Sequence, residues 1–228
     1  EHRRTKAGSR AEMLWGDAAA AVAIGSENVI AEVLGVETLA VDFVDHYRGE
    51  EAAFDYGWEE RWIRDEGFMK TVPMVVDALL KRCSVPAENI RHFIIPTDQA
   101  RTPKGLARKI GIDSNAVIDN QINSVGVAGA AQSILLLAKA LETAHPGDLI
   151  LVAGFGQGCD AVLLRATEAL KSYKPANGVA SAIEARREET NYNKFLSFNN
   201  LIERDIGKRG EADKQTYLSG YNRRKDLL

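Results

Sequence analysis

Two runs of small residues set the terms on which this chain can fold. The first is Val125-Gly126-Val127-Ala128-Gly129-Ala130-Ala131. The second is Pro146-Gly147-Asp148-Leu149-Ile150-Leu151-Val152-Ala153-Gly154-Phe155-Gly156-Gln157-Gly158. With Ile134-Leu135-Leu136-Leu137 between them, they read as a small-residue helix start, an apolar helix, a turn, a buried strand and a glycine turn. Glycines in such places let backbone approach a ligand or another segment. A helix followed closely by strands demands a layered α/β arrangement, because each element has an apolar face that only a neighbouring layer can cover.

The rest of the chain extends that pattern. Gly16–Ile24, small and apolar, reads as a buried strand, and Val29–Val41 as a second strand region. Asp42–Asp65 holds Phe43, His46, Tyr47, Arg48, Phe54, Tyr56, Trp58 and Trp62 with no single period, and reads as a loop or lid. Met69, Val72, Val76, Leu79 and Leu80 recur at helical spacing, predicting a helix over Glu66–Arg82 with Pro73 near its first turns. Pro86–Asn89 is a turn and Ile90–Pro96 a short strand. Thr102–Ile110 is a helix opened by Pro103 and closed by Gly111. Val125–Thr143 is a helix. Leu149–Ala153 and Ala161–Ala166 are strands flanking the glycine turn. Beyond Leu170 the pattern weakens, with helical spacing over 181–206 and a polar, tyrosine-bearing end. The expected organisation is a domain over 1–170 and an extended, partner-binding arm over 171–228.

Composition narrows the function classes. A chain of 228 residues, 45% hydrophobic and 27% charged, with formal net charge −3, gives no reason to expect a nucleic-acid or anionic-membrane partner. No apolar run reaches the ~18 residues of a membrane-spanning helix. Two cysteines, Cys83 and Cys159, cannot form a disulfide framework or a structural zinc site, so the expected compartment is a reducing cytoplasm and no metal is expected. The chain opens on charge, Glu1-His2-Arg3-Arg4, without a leader pattern. Residues 171–228 hold 12 basic against 8 acidic side chains, so an arm of +4 follows a body of −7.

Three separated segments carry a resemblance. Glu12–Val22, Ile95-Pro96-Thr97-Asp98-Gln99-Ala100 and Val125–Ala131 stand in the order of three motifs of the thiolase superfamily. They resemble most closely its ketoacyl synthase III and 3-hydroxy-3-methylglutaryl-CoA synthase branch. The second segment resembles a proline-histidine-glutamine-alanine-asparagine motif, the third a glycine-asparagine-threonine-glycine-alanine-alanine motif. The resemblance spans roughly residues 12–170 and implies the C-terminal half of a layered αβαβα fold. It implies acyl-CoA carbon–carbon bond formation or cleavage, with a coenzyme A thioester as substrate and no separate cofactor. It also implies homo- or hetero-oligomers of thiolase-like chains. The tail resembles branches that work with a zinc-ribbon and OB-fold partner.

In that family a cysteine thiolate attacks the acyl thioester, and histidine with asparagine or glutamate manages the second substrate's charge. The resemblance puts the nucleophile upstream of this chain's first residue. Asp98 stands where the family has histidine, and Val127, which cannot donate a hydrogen bond, where it has asparagine. Three readings follow. One is a thiolase-like acyltransferase acting within a larger polypeptide or complex. The second is a non-catalytic scaffold subunit with an OB-fold partner. The third is an aldolase-like variant in which tyrosine or aspartate replaces the histidine–asparagine pair.

The candidate site residues each carry two readings. Asp98 is a replacement base, an exposed loop carboxylate or a helix-leading cap. Gly154, Gly156 and Gly158 offer amides to a thioester oxygen or simply form a tight turn; their G-x-G-x-G spacing runs into a strand, which excludes a dinucleotide fingerprint. Cys159 is a thiol at the acyl site or a small buried residue. Arg48 binds a coenzyme A phosphate or belongs to a packed loop. Val127 lines the acyl pocket. Asn123 caps a turn or reaches the pocket from another angle. His92, His145 and Cys83 read as structural.

Overall fold

In a computed structural model, residues 3–175 and 178–204 are described. Those up to Arg187 pack as one unit and those from Glu188 as a second.

The first unit begins with helix α1 (Arg10–Leu14), capped by the Ser9 side chain, which accepts from the Glu12 amide. Strand β1 (Ala31–Ala40) follows a long irregular stretch. Two-residue strands β2 (His46–Tyr47) and β3 (Tyr56–Gly57) form a small antiparallel hairpin. A short helix α2 (Glu60–Trp62) runs through a π-helical turn (Ile63–Phe68) into α3 (Met69–Cys83). Pro73 in α3 has no amide hydrogen for the carbonyl four residues back. That carbonyl, of Met69, accepts instead from Lys109 Nζ at 2.6 Å. Strand β4 (Ile90–Ile94), helix α4 (Thr102–Ile110) and helix α5 (Ala131–Thr143) come next. Strands β5 (Leu149–Gly156) and β6 (Gly158–Ala166) then make a hairpin joined by Gln157 alone. Helix α6 (Val179–Glu184) ends the unit, with Val179 packed on the core beside α5. In the second unit, α7 (Tyr192–Phe198) is capped by Asn191, whose side chain accepts from the Lys194 amide.

The main sheet has the order β1-β6-β5-β4, with β4 parallel to β5 and the other pairs antiparallel. β5 is apolar on both faces, as a strand covered on both sides must be. Leu151 and Ala153 face the core under α3 and α4, which also holds Val72, Val76, Leu79, Phe93 and Leu106. Ile150 and Val152 face the core under α5 with Leu136, Ala140 and Ile94. Helix, sheet and helix thus form three layers, the α/β arrangement read from the sequence.

Several boundaries differ from the sequence reading. Gly16–Ile24 is not a strand: Trp15 makes one isolated bridge to Val127, and the chain beyond Ala18 is exposed. Its alanines have low strand propensity and bury little area each, so an apolar composition does not suffice for a strand. The helix read from Val125 starts only at Ala131, because Gly126 (φ 85°) and Gly129 (φ 55°) turn the backbone out of helical geometry first. β5 and β6 run through the glycines, pairing Gly154 with Asp160 and Gly156 with Gly158, so the run is ladder rather than turn. Of the region 181–206, the described part up to 204 holds two short helices, α6 and α7, rather than one. Part of the expected arm, residues 205–228, lies outside the described residues. Helix α4, with Pro103 at its start and Gly111 (φ 92°) after its end, matches the reading.

Candidate functional site

The sheet topology gathers the candidate residues at one end. β4 and β5 are parallel, β6 turns back from β5, and the end of β1 lies beside the start of β6, with Ala40 opposite Gly158. The loop after β4 carrying Asp98, the tip of the glycine hairpin and the aromatic segment after β1 therefore leave the same edge. Ligands of open α/β sheets commonly bind beyond the carboxyl ends of parallel strands.

A buried polar network fixes the loop after β4. Gln132, the second residue of α5, is only 1% exposed. Its Oε1 accepts from the Ala128 amide at 2.5 Å, and its Nε2 donates to the Asn120 carbonyl at 2.6 Å. Asn120 in turn accepts from the Thr97 amide at 3.2 Å and donates to the Ile95 carbonyl at 3.1 Å. Gln99 donates through Nε2 to the Glu60 carbonyl and accepts from the Thr102 hydroxyl at 2.7 Å. Three loops and the start of α5 are thereby joined through side-chain amides. The sequence reading missed Asn120 and Gln132; a glutamine inside an apolar helix stripe was the available signal.

Asp98 stands on this framework, partly buried. Arg10 Nη2 lies 4.0 Å from its carboxylate, but that guanidinium is engaged by Glu60 at 2.6 Å. Burial raises the pKa of Asp98; Arg10 opposes this, while the charges of Glu60 and Asp45 add to it. Asp98 is thus a carboxyl biased toward holding a proton, not a helix-capping carboxylate: α4 has no side-chain cap.

The glycines differ among themselves. A Cβ on Gly154 would sit 3.5 Å from Ser133 Oγ, and one on Gly156 would meet open space. Gly158 (φ 123°) is buried, and a Cβ there would lie 2.1 Å from the Leu39 carbonyl oxygen. Its identity is explained by the crossing of β1. Val127 is half-buried, its amide donating to Leu14 and its carbonyl accepting from Gly16 at 3.1 Å. The backbones meet so closely that a Cβ on Gly16 would stand 1.8 Å from the Val125 carbonyl oxygen. Asn123 is exposed.

Cys159 faces the core under α3, and burial, aided by Asp160, pushes its thiol up to about 12. A thiol that keeps its proton is a poor nucleophile at neutral pH, and Cys159 is buried in the core. Cys83 donates to the Leu34 carbonyl at 3.7 Å. His92 and His145 flank Asp148 at 3.2 and 3.8 Å, by the start of β5 and away from the glycine hairpin. Among the described residues no three His, Cys, Asp or Glu side chains are grouped as a metal site, and no helix is long and apolar enough to cross a membrane.

The aromatic segment lies on the hairpin. Phe68 packs on Phe155 with ring centres 4.2 Å apart, and Phe155 on Phe43 at 5.7 Å. The chain of rings continues from Phe43 to Trp62 at 4.5 Å, Trp58 at 5.5 Å, Tyr47 at 6.0 Å and Tyr56 at 4.3 Å. Gly67 gives these rings room, since a Cβ there would lie 2.6 Å from Phe155 Cζ. Arg48 is on the outer β2–β3 hairpin, 3.5 Å from Asp55 and half exposed. Within the segment, His46 Nδ1 lies 2.6 Å from Asp45 Oδ1.

Residues 80–166 match the model of the 3-oxoacyl-[acyl-carrier-protein] synthase III C-terminal domain, a stretch that includes Asp98, Val127 and the glycine hairpin. The chain is 25% identical over 159 residues to a hydroxymethylglutaryl-CoA synthase of Methanopyrus kandleri, covering 68% of this chain and 45% of that protein. It is 35% identical over 89 residues to a β-ketoacyl-[acyl-carrier-protein] synthase III of Thermosynechococcus vestitus, covering 38% of this chain and 27% of that one. The crystal structure of 3-oxoacyl-[acyl-carrier-protein] synthase III from Aquifex aeolicus superposes with a TM-score of 0.54 at 22% identity, over 62% of this chain and 46% of that one. The chain spans about half or less of the length of these proteins.

Proposed function

Taking this chain as one of the ketoacyl synthase III and hydroxymethylglutaryl-CoA synthase-like branch of the thiolase superfamily, we propose that it forms the thioester-binding half of a condensing acyltransferase. That branch comprises condensing acyltransferases. The substrate is an acyl thioester of coenzyme A, taken without a separate cofactor. The nucleophilic cysteine comes from another part of the polypeptide or from a partner chain, because the two cysteines here are a core thiol and a half-buried one. The acyl group lies beyond the sheet edge, between Asp98 and Gly156, the hairpin position with open space. Arg48 meets the coenzyme A phosphates, and Val127 lines the acyl tunnel near Gly154.

The observation that carries this reading is the meeting of the Asp98 loop, the 120–132 network and the glycine hairpin at one sheet end. The network uses the buried amide of Gln132 and the half-buried amide of Asn120 to fix a loop that carries a protonatable carboxyl. The scaffold reading, with residues 171–228 docking on a zinc-ribbon and OB-fold partner, has one observation in its favour. Val127 has its amide and carbonyl occupied by Leu14 and Gly16 and no side-chain donor for an oxyanion.

Intact-mass spectrometry of the native purified material after exposure to acetyl-CoA separates the two. One acetyl mass on a cysteine outside these 228 residues, in the same polypeptide or a tightly bound partner whose acylation needs this chain, is expected. No acylation anywhere overturns the acyltransferase reading and leaves the scaffold.

A further inference from the structure

Resting on the acyl-thioester reading, one group at the site end has the chemistry that the Asp98 position lacks. His46 lies outside the segment 80–166 that carries the domain match. Its loop is nonetheless tied to the site from two sides. Phe43, three residues earlier, packs on Phe155 between Gly154 and Gly156. Tyr47, the residue after His46, joins the same ring chain through Trp58 and Trp62 to Phe43. The loop is held by backbone as well, with the Trp58 amide donating to the Asp45 carbonyl at 3.0 Å and His46 paired with Gly57.

Asp45 and His46 form an oriented pair. Nδ1 of the imidazole is held 2.6 Å from Asp45 Oδ1. Its Nε2 has no hydrogen-bond partner among the described residues, and the side chain is about one-third exposed, at 35%. A carboxylate on one ring nitrogen fixes the tautomer and raises the basicity of the other, the device by which many enzymes prepare a general base. Asp45 is buried enough to disfavour its charge, yet hydrogen bonding and charge from His46 hold its carboxyl below the usual range. His46 is raised above the usual imidazole range by the hydrogen bond to Asp45; burial and Arg3 oppose this, and Asp45 and Asp55 add to it by charge.

We propose that the Asp45–His46 pair is the proton-transfer group of this site, with His46 Nε2 as the base toward the α-carbon of the acyl thioester and Asp45 as its positioning residue. The step is an enolisation. The α C–H bond breaks, its proton passes to Nε2, and the electron pair moves onto the thioester oxygen as an enolate. Return of a proton from the imidazolium restores the thioester, so no oxidant or further reactant enters.

Enolisation needs no cysteine nucleophile, so the chain is tested as it stands. Acetyl-CoA is incubated with the protein in D2O and loss of its methyl proton signal is followed by NMR, while saturation-transfer NMR on the same sample reports binding. The expected result is binding together with exchange that falls about 10²-fold in His46→Gln. Exchange should rise with pH through the raised His46 pKa, since only the neutral imidazole accepts a proton. In Asp45→Asn that rise should shift to lower pH and reach a slower plateau, a shift that a merely structural role would not produce. Near-UV circular dichroism checks that both variants keep the aromatic chain; either variant alone suffices for the test.

Binding with exchange unaffected by both substitutions, or exchange abolished by Asp98→Asn alone, overturns the proposal and leaves the acyl-thioester reading intact. Failure of the unaltered protein to bind acetyl-CoA overturns that reading, and the proposal with it.

Discussion

Replacing Gln132 with leucine keeps the side-chain volume close and removes both of its hydrogen bonds. The Ala128 amide, on a residue 1% exposed, loses its acceptor, and the half-buried Asn120 carbonyl loses its donor. Leaving a buried polar group unpaired costs about 1–3 kcal/mol. With the amide near the middle of that range and the partly wet carbonyl at its foot, the loss is about 3 kcal/mol. For a unit of this size that corresponds to a melting temperature lower by roughly 6–12 °C. Differential scanning calorimetry of the two proteins measures it directly. Because Asn120 also holds the Thr97 amide and the Ile95 carbonyl, Asn120→Ala should couple to Gln132→Leu by about 0.5–3 kcal/mol in a double-mutant cycle. A fall of less than about 2 °C, with additive single effects, would refute the view that these amides fix the loop.

Three further outcomes are expected. Gly158→Ala puts a methyl group into the Leu39 carbonyl at a φ of 123° and should destabilise the protein by roughly 2–4 kcal/mol, read by urea unfolding; a neutral effect would refute the packing explanation for that glycine. Cys159, with its thiol pushed up to about 12, should resist iodoacetamide in the folded protein at neutral pH while Cys83 is labelled first, which peptide mapping resolves. Asp98 has a raised pKa, so its ionisation works against the folded state: stability present at low pH is withdrawn as pH rises through the folded-state value. Asp98→Asn should therefore gain in melting temperature relative to the parent at neutral pH and not at low pH, and an equal shift at both would sink that account.

The sequence was most legible where one residue enforces one geometry. Pro103 and Gly111 bound α4 because the first has no amide to satisfy and the second accepts a left-handed turn. The apolar runs of α5 and β5 gave the layers. What the sequence concealed was whatever depends on distant partners. Gly16–Ile24 has the composition of a buried strand, but the bridge to Val127 is made by Trp15 just before it, and the Gly16 amide follows, donating to the Val127 carbonyl. The glycines of 154–158 read as a turn because a lone strand of glycines is weak; the ladder between β5 and β6 carries them to the tip. Asn120 and Gln132 look like ordinary polar positions until the loop after β4 closes over them. Asp45 and His46 are adjacent in sequence, yet adjacency says nothing of which nitrogen faces the carboxylate.

The ring chain has an optical consequence. Trp58 and Trp62 stand 5.5 Å apart above the glycine hairpin, and Trp15, under the Arg3 guanidinium at 5.1 Å, bridges to Val127. These are all three tryptophans of the chain. Intrinsic emission therefore samples the carboxyl end of the sheet and hardly at all the helical layers beneath it. A melt followed by fluorescence reports the loosening of that end, while far-ultraviolet dichroism reports the framework. A lower midpoint in the fluorescence trace means that this end of the sheet comes apart before the framework that carries it.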